Sequence, residues 1–341
     1  MENSAHTIPH SPAASLPPRS KAPVFVVGSP RSGTTLLYHM LLSAGNFAVY
    51  RAESQVFHML EPRFGDLSIE ANKRRLLQSW FDSRLFTATG LKAEQIENKI
   101  IEKCTNAGDF LRIVMEEMAR HQGVERWAEC TPDHLLYLSR IKNTIPNALV
   151  IHIIRDGRDV ALSMEKQGYP RRLPWDHSKL RMAAGVYWEW MVETGCAMGR
   201  NLGSDYIEVR YENLIGKPRE VLSELSAFIG QKLDYDEIQR VGIGSVSRPN
   251  TSFQTESVND SFNPVGRWKG LYSSQELVKF ESLTAVTLKN LNYAVESEKI
   301  LRPPGLVAFR SQYRAFFNAK VFVRTKTPLA KWMVTRDLSR M

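Results

Sequence analysis

The segment from Pro23 to Leu37, with the sequence PVFVVGSPRSGTTLL, constrains the fold of this chain more than any other part of the sequence. Its apolar beginning predicts a buried β-strand, its middle predicts a tight turn, and apolar residues at helical spacing from Leu36 onward predict an α-helix. Gly28 and Gly33 within such a strand, turn and helix are typical of a loop that cradles phosphate groups. The backbone N–H groups of this loop and the N-terminus of the helix favour an anionic ligand.

This loop lacks the lysine with which ATP-binding loops bridge the β- and γ-phosphates, because Thr34 stands at that position. Arg31 supplies a positive charge from within the loop instead, and its planar guanidinium suits a tetrahedral oxyanion. We therefore expect the loop to bind an anion other than ATP, through Arg31, Ser32, Gly33, Thr34 and Thr35.

Apolar runs and helical patterns alternate along the chain. The clearest buried strand is predicted at 149–154, a short strand at 127–130 and a weaker one at 206–209, with helices between them. This alternation predicts an α/β fold in which helices flank a central, mostly parallel β-sheet in a three-layer architecture.

The composition divides the chain into three regions. We expect a disordered N-terminal segment at 1–22, an α/β domain at 23–300 and a basic, helical tail at 301–341. The tail holds nine Lys or Arg and one acidic residue, so it carries +8 of the formal charge of +9. Because the remainder is near neutral, nucleic-acid binding is not expected. The tail either packs its aromatic side chains on the domain, which is the favoured interpretation, or makes peripheral contact with a membrane or a polyanion.

The cysteines and the hydropathy bear on location. Cys104, Cys130 and Cys196 show neither paired spacing nor a CxxC motif, which favours a reducing compartment and argues against structural zinc. The N-terminal segment lacks the apolar core of a signal peptide, and no stretch approaches the roughly 18 apolar residues of a membrane span. A cytoplasmic protein without a transmembrane segment is therefore expected.

A long loop is predicted at 242–270.

A second anion site is predicted where Arg155 follows the strand at 149–154, because open α/β sheets bind ligands at the carboxyl ends of their strands. Ser163, one to two helical turns later, is positioned to share the anion. Alternatively, Arg155 and the next arginine pair with Asp156 and Asp159 in a solvated turn. A kinase or ATPase would be expected to end this strand with an acidic residue for Mg²⁺, where this chain has an arginine.

With these two sites the chain resembles the sulfotransferase family, which uses 3′-phosphoadenosine 5′-phosphosulfate, and within it the bacterial and tyrosylprotein-type branch. The resemblance spans about Pro23 to Lys269. It implies that the Pro-Arg-Ser-Gly-Thr-Thr loop holds the 5′-phosphosulfate, and that no metal is required. It further implies nucleotide contacts from Arg155, Ser163 and Tyr211 at the 3′-phosphate, and from Lys269 in a late basic motif, Gly-Arg-Trp-Lys-Gly.

The same resemblance implies that Glu53, 18 residues after Thr35, is the catalytic base and that Arg31 assists catalysis. Sulfuryl transfer needs a group that accepts the proton of the acceptor hydroxyl. Burial beside an apolar acceptor would raise the pKa of Glu53, whereas Arg31 would oppose that rise. The alternative is a surface carboxylate that pairs with Arg51 or Arg63.

The chain departs from the family at Cys130, where relatives commonly have a lysine that helps to hold the sulfuryl group. The role then falls to Arg31 and backbone N–H groups, or to Lys269. Cys130 itself is expected to be an inert buried thiol, and Glu129 is a secondary candidate for the base.

The cysteine at this position keeps open a first alternative function, a catalytically silent nucleotide-binding protein with a membrane- or polyanion-binding tail. A P-loop kinase or nucleotide hydrolase is the other alternative. The sequence indicates neither the acceptor nor the oligomeric state; walls for the acceptor are expected from 54–108 and from the loop after Gly242.

Overall fold

The computed structural model describes residues 18–241, 263–298, 300–327, 329–333 and 338. Five strands form one sheet in the order β2-β3-β1-β4-β5, and every neighbouring pair is parallel. The strands are β1 (Val24–Gly28), β2 (Phe47–Ala48), β3 (Arg126–Glu129), β4 (Leu149–Ile154) and β5 (Tyr206–Arg210).

Helices occupy most of the remaining described chain. The α-helices are α1 (Thr34–Ser43), α2 (Glu61–Phe64), α3 (Glu70–Phe81), α4 (Arg84–Thr87), α5 (Ala93–Lys103), α6 (Ala107–His121), α7 (Leu138–Thr144), α8 (Gly157–Lys166), α9 (Leu180–Arg200), α10 (Tyr211–Gly216), α11 (Pro218–Ile229), α12 (Tyr235–Val241), α13 (Ser274–Asn290), α14 (Pro304–Lys326) and α15 (Ala330–Met333). Shorter turns are the 3₁₀ helices Arg19–Lys21, Pro132–Tyr137, Gly203–Asp205 and Arg267–Gly270, and the π-helix Val56–Leu60. In the part of the chain that is described, no helix combines the length and the apolar character that crossing a membrane requires.

Helices cover both faces of the sheet. Because successive side chains of a strand point to opposite faces, Phe25 and Val27 join a core that includes apolar residues of α6 and α9. Val24 and Val26 join a second core, which includes apolar residues of α1 and α11. These two cores confirm the predicted three-layer α/β fold with a parallel sheet.

The segment predicted to be disordered at 1–22 is ordered at its end. The guanidinium of Arg126 donates hydrogen bonds to the carbonyl oxygens of Arg19, at 2.8 Å, and Ala22, at 2.7 Å. These long-range bonds join Arg19–Lys21 to β3, and the sequence pattern gives no sign of them. The expected disorder therefore does not extend to residues 18–22, and residues 1–17 lie outside the described residues.

The basic tail contains a long helix, α14, that packs on α9. Tyr313 and Phe317 are buried, and the Phe317 ring centroid lies 5.0 Å from that of Tyr187 and 5.3 Å from that of Trp190. Arg310 Nε donates to the Glu189 carboxylate at 2.7 Å. This packing corresponds to the favoured interpretation of the tail, whereas contact with a membrane stays a prediction.

Candidate active site

The carboxyl ends of the parallel strands bring the predicted site residues to one edge of the sheet. β1 leads into the glycine-containing loop, β4 leads into Arg155, and β5 leads into Tyr211, the first residue of α10. The register places Gly28 of β1 beside Ile153 of β4. Open α/β sheets bind ligands at this edge because helix N-termini and loops converge there.

The loop after β1 follows a tightly turned path. Arg31 has a φ of 73° and Gly33 a φ of 99°, both in the left-handed region, and the Ser32 N–H donates to the Ser29 carbonyl oxygen at 3.1 Å. A Cβ at Gly33 would lie 2.4 Å from the ring of Tyr211, so only glycine fits there. The loop leads into α1, whose first N–H groups, such as that of Thr35, have no intrahelical partners and are available to bind an anion.

Arg155 links the strand ends to one another. Its side chain is buried and donates to the carbonyl oxygens of Arg31, at 3.2 Å, and Pro264, at 2.6 Å. Its guanidinium carbon lies 4.4 Å from the centroid of the Tyr211 ring. Part of the alternative interpretation holds, because Arg158 pairs with Asp156 at 2.7 Å. The turn is not solvated, however, because both arginines and both aspartates are buried.

Arg31 and Arg155 form a positively charged pair. Arg31 Nε donates to Ser163 Oγ at 2.9 Å, so the loop is tied to α8. Burial and the nearby charge of Arg155 lower the pKa of Arg31, which is the effect expected of two cations that share a confined space. An anion placed between them would relieve this repulsion and accept charge-assisted hydrogen bonds.

These residues enclose a pocket of about 100 Å³. Its walls are Pro30, Arg31, Gly33, Thr34, Thr35, Glu53, Pro132, Arg155, Ser163 and Tyr211. Within the described residues, the buried polar atoms near this edge that have no hydrogen-bond partner include Ser29 Oγ, Ser32 Oγ and Arg155 Nε. Buried donors are seldom left unpaired, so their presence fits a site whose bonds are completed by a ligand with oxyanion groups.

Glu53 stands at the wall of this pocket with an unusual proton affinity. Its side chain is exposed to solvent along the pocket, and its Oε2 accepts a hydrogen bond from Gln55 Nε2 at 2.6 Å. Burial, followed by the charges of Asp133 and Glu129, raises the pKa of Glu53 to about 7. Arg31 was expected to oppose this rise in pKa, but in the structure the hydrogen bond from Gln55 and the nearby His134 oppose it. A carboxyl with a pKa near neutrality is suited to exchange a proton with a substrate.

Glu129, the secondary candidate for the base, does not line the pocket but binds Ser54, the residue that follows Glu53. It is fully buried, and its carboxylate accepts hydrogen bonds from Ser54 Oγ at 2.7 Å, from the Thr131 N–H at 3.1 Å and from His134 Nδ1 at 2.9 Å. Burial would raise its pKa, but the hydrogen bonds and His134 hold the pKa below its usual value. Such a carboxylate stays ionised and fixes the chain next to Glu53.

A family model supplies the decisive comparison, because the model described as "Sulfotransferase family" matches residues 23–236. The chain belongs to the sulfotransferase family. A protein of Caenorhabditis briggsae named "Putative protein-tyrosine sulfotransferase" is 26% identical over 285 residues, which cover 81% of this chain and 90% of that relative.

Solved structures resemble this sulfotransferase in fold. The sulfotransferase domain of the curacin biosynthetic pathway matches with a TM-score of 0.55 and 17% identity, covering 80% of this chain and 98% of that domain. The sulfotransferase domain of the Synechococcus PCC 7002 olefin synthase matches with a TM-score of 0.50 and 16% identity, covering 87% and 94% of the two chains. At such identities the likeness concerns the fold alone.

Lys269 does not join the other predicted site residues in this sulfotransferase. Its side chain is 65% exposed, and its ammonium lies 3.3 Å from the carboxylate of Glu296. Asp159, which the sequence suggested only as an ion-pair partner, accepts hydrogen bonds from the N–H groups of Gly266, at 2.8 Å, and Trp268, at 3.0 Å. Asp159 thereby ties the backbone of the late basic motif to α8, and its only sequence signal is its place four residues after Arg155.

Cys130 is not among the residues that line the pocket of the sulfotransferase. Its thiol is buried, and burial with the nearby charges of Glu129 and Glu53 raises its pKa well above the usual value. The thiol therefore stays protonated at neutral pH, and a protonated thiol is a poor nucleophile.

One group of potential metal ligands lies apart from these residues. The ligating atoms of His152, Cys196 and Glu208 fall within 4.8 Å of one another. The Tyr206 hydroxyl bonds both His152 Nδ1, at 2.7 Å, and Glu208, at 2.9 Å. None of these residues lines the pocket of the sulfotransferase.

Proposed function

We propose that this sulfotransferase uses 3′-phosphoadenosine 5′-phosphosulfate as its donor and transfers the sulfuryl group to an acceptor hydroxyl or amine, with Glu53 as the general base. The observation that carries the proposal is the position of Glu53, whose pKa is about 7, in the wall of the same pocket as Arg31 and the loop after β1. A base and an oxyanion site side by side are what sulfuryl transfer requires.

In this proposal the phosphosulfate end of the donor lies against the loop. Its oxygens are held by Arg31, by the hydroxyls of Thr34 and Thr35, and by the first N–H groups of α1. The buried hydroxyl of Ser32, which has no hydrogen-bond partner in the protein, also donates to them. Arg155, Ser163 and Tyr211 hold the 3′-phosphate, because Arg155 Nε has a free donor there and Ser163 already bonds the loop through Arg31. Lys269 is left out of this assignment.

The reaction moves one proton and one sulfuryl group. Glu53 accepts the proton of the acceptor as the acceptor oxygen or nitrogen forms a bond to sulfur. The bond between sulfur and the bridging oxygen breaks, and adenosine 3′,5′-bisphosphate departs with the extra negative charge. Arg31 and the N–H groups of the loop stabilise that charge in the place of the lysine that Cys130 replaces. None of these steps uses His152, Cys196 or Glu208.

Calorimetry tests the donor directly. Adenosine 3′,5′-bisphosphate should bind the purified protein at least about 100-fold more tightly than 5′-AMP, because 5′-AMP lacks the 3′-phosphate that Arg155 would bind. ATP with Mg²⁺ should bind weakly and remain intact. Equal affinities for the bisphosphate and 5′-AMP would refute the proposed donor.

A further inference from the structure

A second cavity, of about 530 Å³, lies between α9, α14 and the turn that follows β3. Its apolar walls are aromatic: Tyr137, Tyr169, Tyr187, Trp190, Phe316 and Phe317. This volume is in the range of pockets that bind small organic molecules, and such pockets combine apolar walls with a few fixed polar groups.

The cavity adjoins the proposed base. Asp133 lines it, and the preceding residue, Pro132, lines the pocket that contains Glu53. The carboxylate of Asp133 is close enough to Glu53 to be the largest charge effect that raises its pKa. Asp133 is held in place by the Tyr187 hydroxyl, which lies 3.3 Å from it. The cavity and the pocket that contains Glu53 are therefore neighbours at Pro132 and Asp133.

The charged groups of the cavity are mostly cationic. Arg171, Lys320 and Arg324 line it, and Asp133 is the acidic residue among its lining residues. Burial, with the charges of Arg324 and Arg171, lowers the pKa of Lys320, while Asp133 opposes this. His58 adds no charge at neutral pH, because burial lowers its pKa to about 4.

These cations differ from others on the same helix. Arg310 and Arg314 pair with the buried carboxylate of Glu189, at 2.7 and 3.3 Å. Lys320 and Arg324 form no ion pair within the described residues, and Arg324 Nε is buried without a hydrogen-bond partner there. Two unpaired cations beside aromatic walls are complementary to an anionic ligand.

We propose that this cavity binds the acceptor, and that the acceptor is a small amphipathic hydroxyl compound with an apolar body and an anionic group. The apolar body lies against the rings of α9 and α14, the anionic group lies between Lys320 and Arg324, and the hydroxyl faces Glu53. The assignment rests on the proposed function, because it takes Glu53 to be the base. It also gives part of the basic tail a role in substrate choice.

A matched pair of ligands tests this assignment. We would titrate the protein, saturated with adenosine 3′,5′-bisphosphate, with 10-hydroxydecanoate and with its neutral amide, 10-hydroxydecanamide. The carboxylate should bind at least about tenfold more tightly than the amide. In the double variant Lys320→Gln/Arg324→Gln this preference should fall to near unity. The control Lys326→Gln removes an exposed cation from the same helix and should keep the preference.

The affinity for adenosine 3′,5′-bisphosphate distinguishes a failure of the acceptor assignment from a failure of the proposed donor. It should be the same in the double variant and in the unaltered protein, which also reports that the variant is folded. Equal affinities for the acid and the amide, no binding of either, or a preference that persists in the double variant would overturn the acceptor assignment. Failure of the unaltered protein to bind the bisphosphate would instead count against the proposed donor.

Discussion

The ring of Tyr211 contacts Arg155 on one side and the loop glycine Gly33 on another. The guanidinium carbon of Arg155 lies 4.4 Å from the ring centroid, and a Cβ at Gly33 would lie 2.4 Å from the same ring. The ends of β1, β4 and β5 therefore meet at one aromatic side chain. A change at any of these three residues should alter donor binding, because none can move independently of the others.

Two glycine variants separate this contact from backbone strain. Gly33 and Gly45 both have positive φ, 99° and 76°, but a Cβ at Gly45 would meet no atom within 4 Å. Both Gly33→Ala and Gly45→Ala should lose about 1–2 kcal/mol of unfolding free energy through strain. Only Gly33→Ala should also weaken adenosine 3′,5′-bisphosphate binding in calorimetry, because its Cβ displaces the ring. Equal bisphosphate affinities in the two variants would show that the ring contact is unimportant.

Removal of Arg155 should weaken bisphosphate binding directly. Arg155→Ala should cost about 2–4 kcal/mol, because a phosphate group would lose its charged partner in a confined site. Calorimetry provides the measurement. The control Arg219→Ala removes an exposed arginine that pairs with Asp236 and should leave the affinity unchanged. An unchanged affinity in Arg155→Ala would remove the 3′-phosphate assignment.

Glu53 should control both the rate and its dependence on pH. Glu53→Gln should lower the turnover number by about 10²–10⁴-fold, the usual contribution of a general base, while bisphosphate affinity stays the same. The base acts when deprotonated, so the rate of the unaltered enzyme should rise with pH through about 7. Initial rates between pH 5.5 and 8.5 check this, with the exposed Glu94→Gln as control. A pH profile that is identical in Glu53→Gln would assign the base elsewhere.

Glu129 should stabilise the fold rather than take part in proton transfer. Its pKa is held below the ordinary glutamate value of 4.5, so its contribution is present above about pH 4.5 and is lost as the pH falls through its folded-state pKa. Glu129→Gln should cost about 2–3 kcal/mol at pH 7, because buried donors lose their charged acceptor. The difference in unfolding free energy from the unaltered protein, measured in urea, should shrink at acid pH. The exposed Glu125→Gln should show little difference; a cost for Glu129→Gln that does not vary with pH would contradict this.

The local part of the site was predictable from the sequence. β1 and β4 are short apolar runs, and each is followed by its site residue, so Arg31 and Arg155 could be placed at one sheet edge before any contact was known. β5 has a weaker pattern, and the assignment of Tyr211 depended on the family resemblance. Glu53 follows the two-residue strand β2, which has no comparable apolar pattern. Its placement depended on the family resemblance.

Long-range features were not predictable in this way. The pKa of Glu53 depends on Asp133 and Glu129, which are distant in sequence. Lys269 pairs with Glu296, and Asp159 holds the backbone of the same motif. Of the predicted loop at 242–270, residues 242–262 lie outside the described residues, and Arg267–Gly270 form a 3₁₀ helix.

The tail shows a second limit of sequence patterns. A basic, helical tail was predicted, but periodicity does not indicate which surface a helix covers. Of the walls expected from 54–108, His58 and Met59 line the aromatic cavity, to which α9 and α14 contribute most of the rings. The wall expected from the loop after Gly242 falls mostly on residues outside those described. Membrane contact of the tail and a cytoplasmic location stay predictions.

Transfer of a labelled sulfuryl group tests the account most directly. The purified protein would be incubated with ³⁵S-labelled 3′-phosphoadenosine 5′-phosphosulfate and an extract of small molecules, and labelled products would be separated by chromatography. We predict a labelled organic product with the unaltered protein and with Glu94→Gln, and a greatly reduced amount with Glu53→Gln. Absence of any labelled product with the unaltered protein, or undiminished product with Glu53→Gln, would contradict the account.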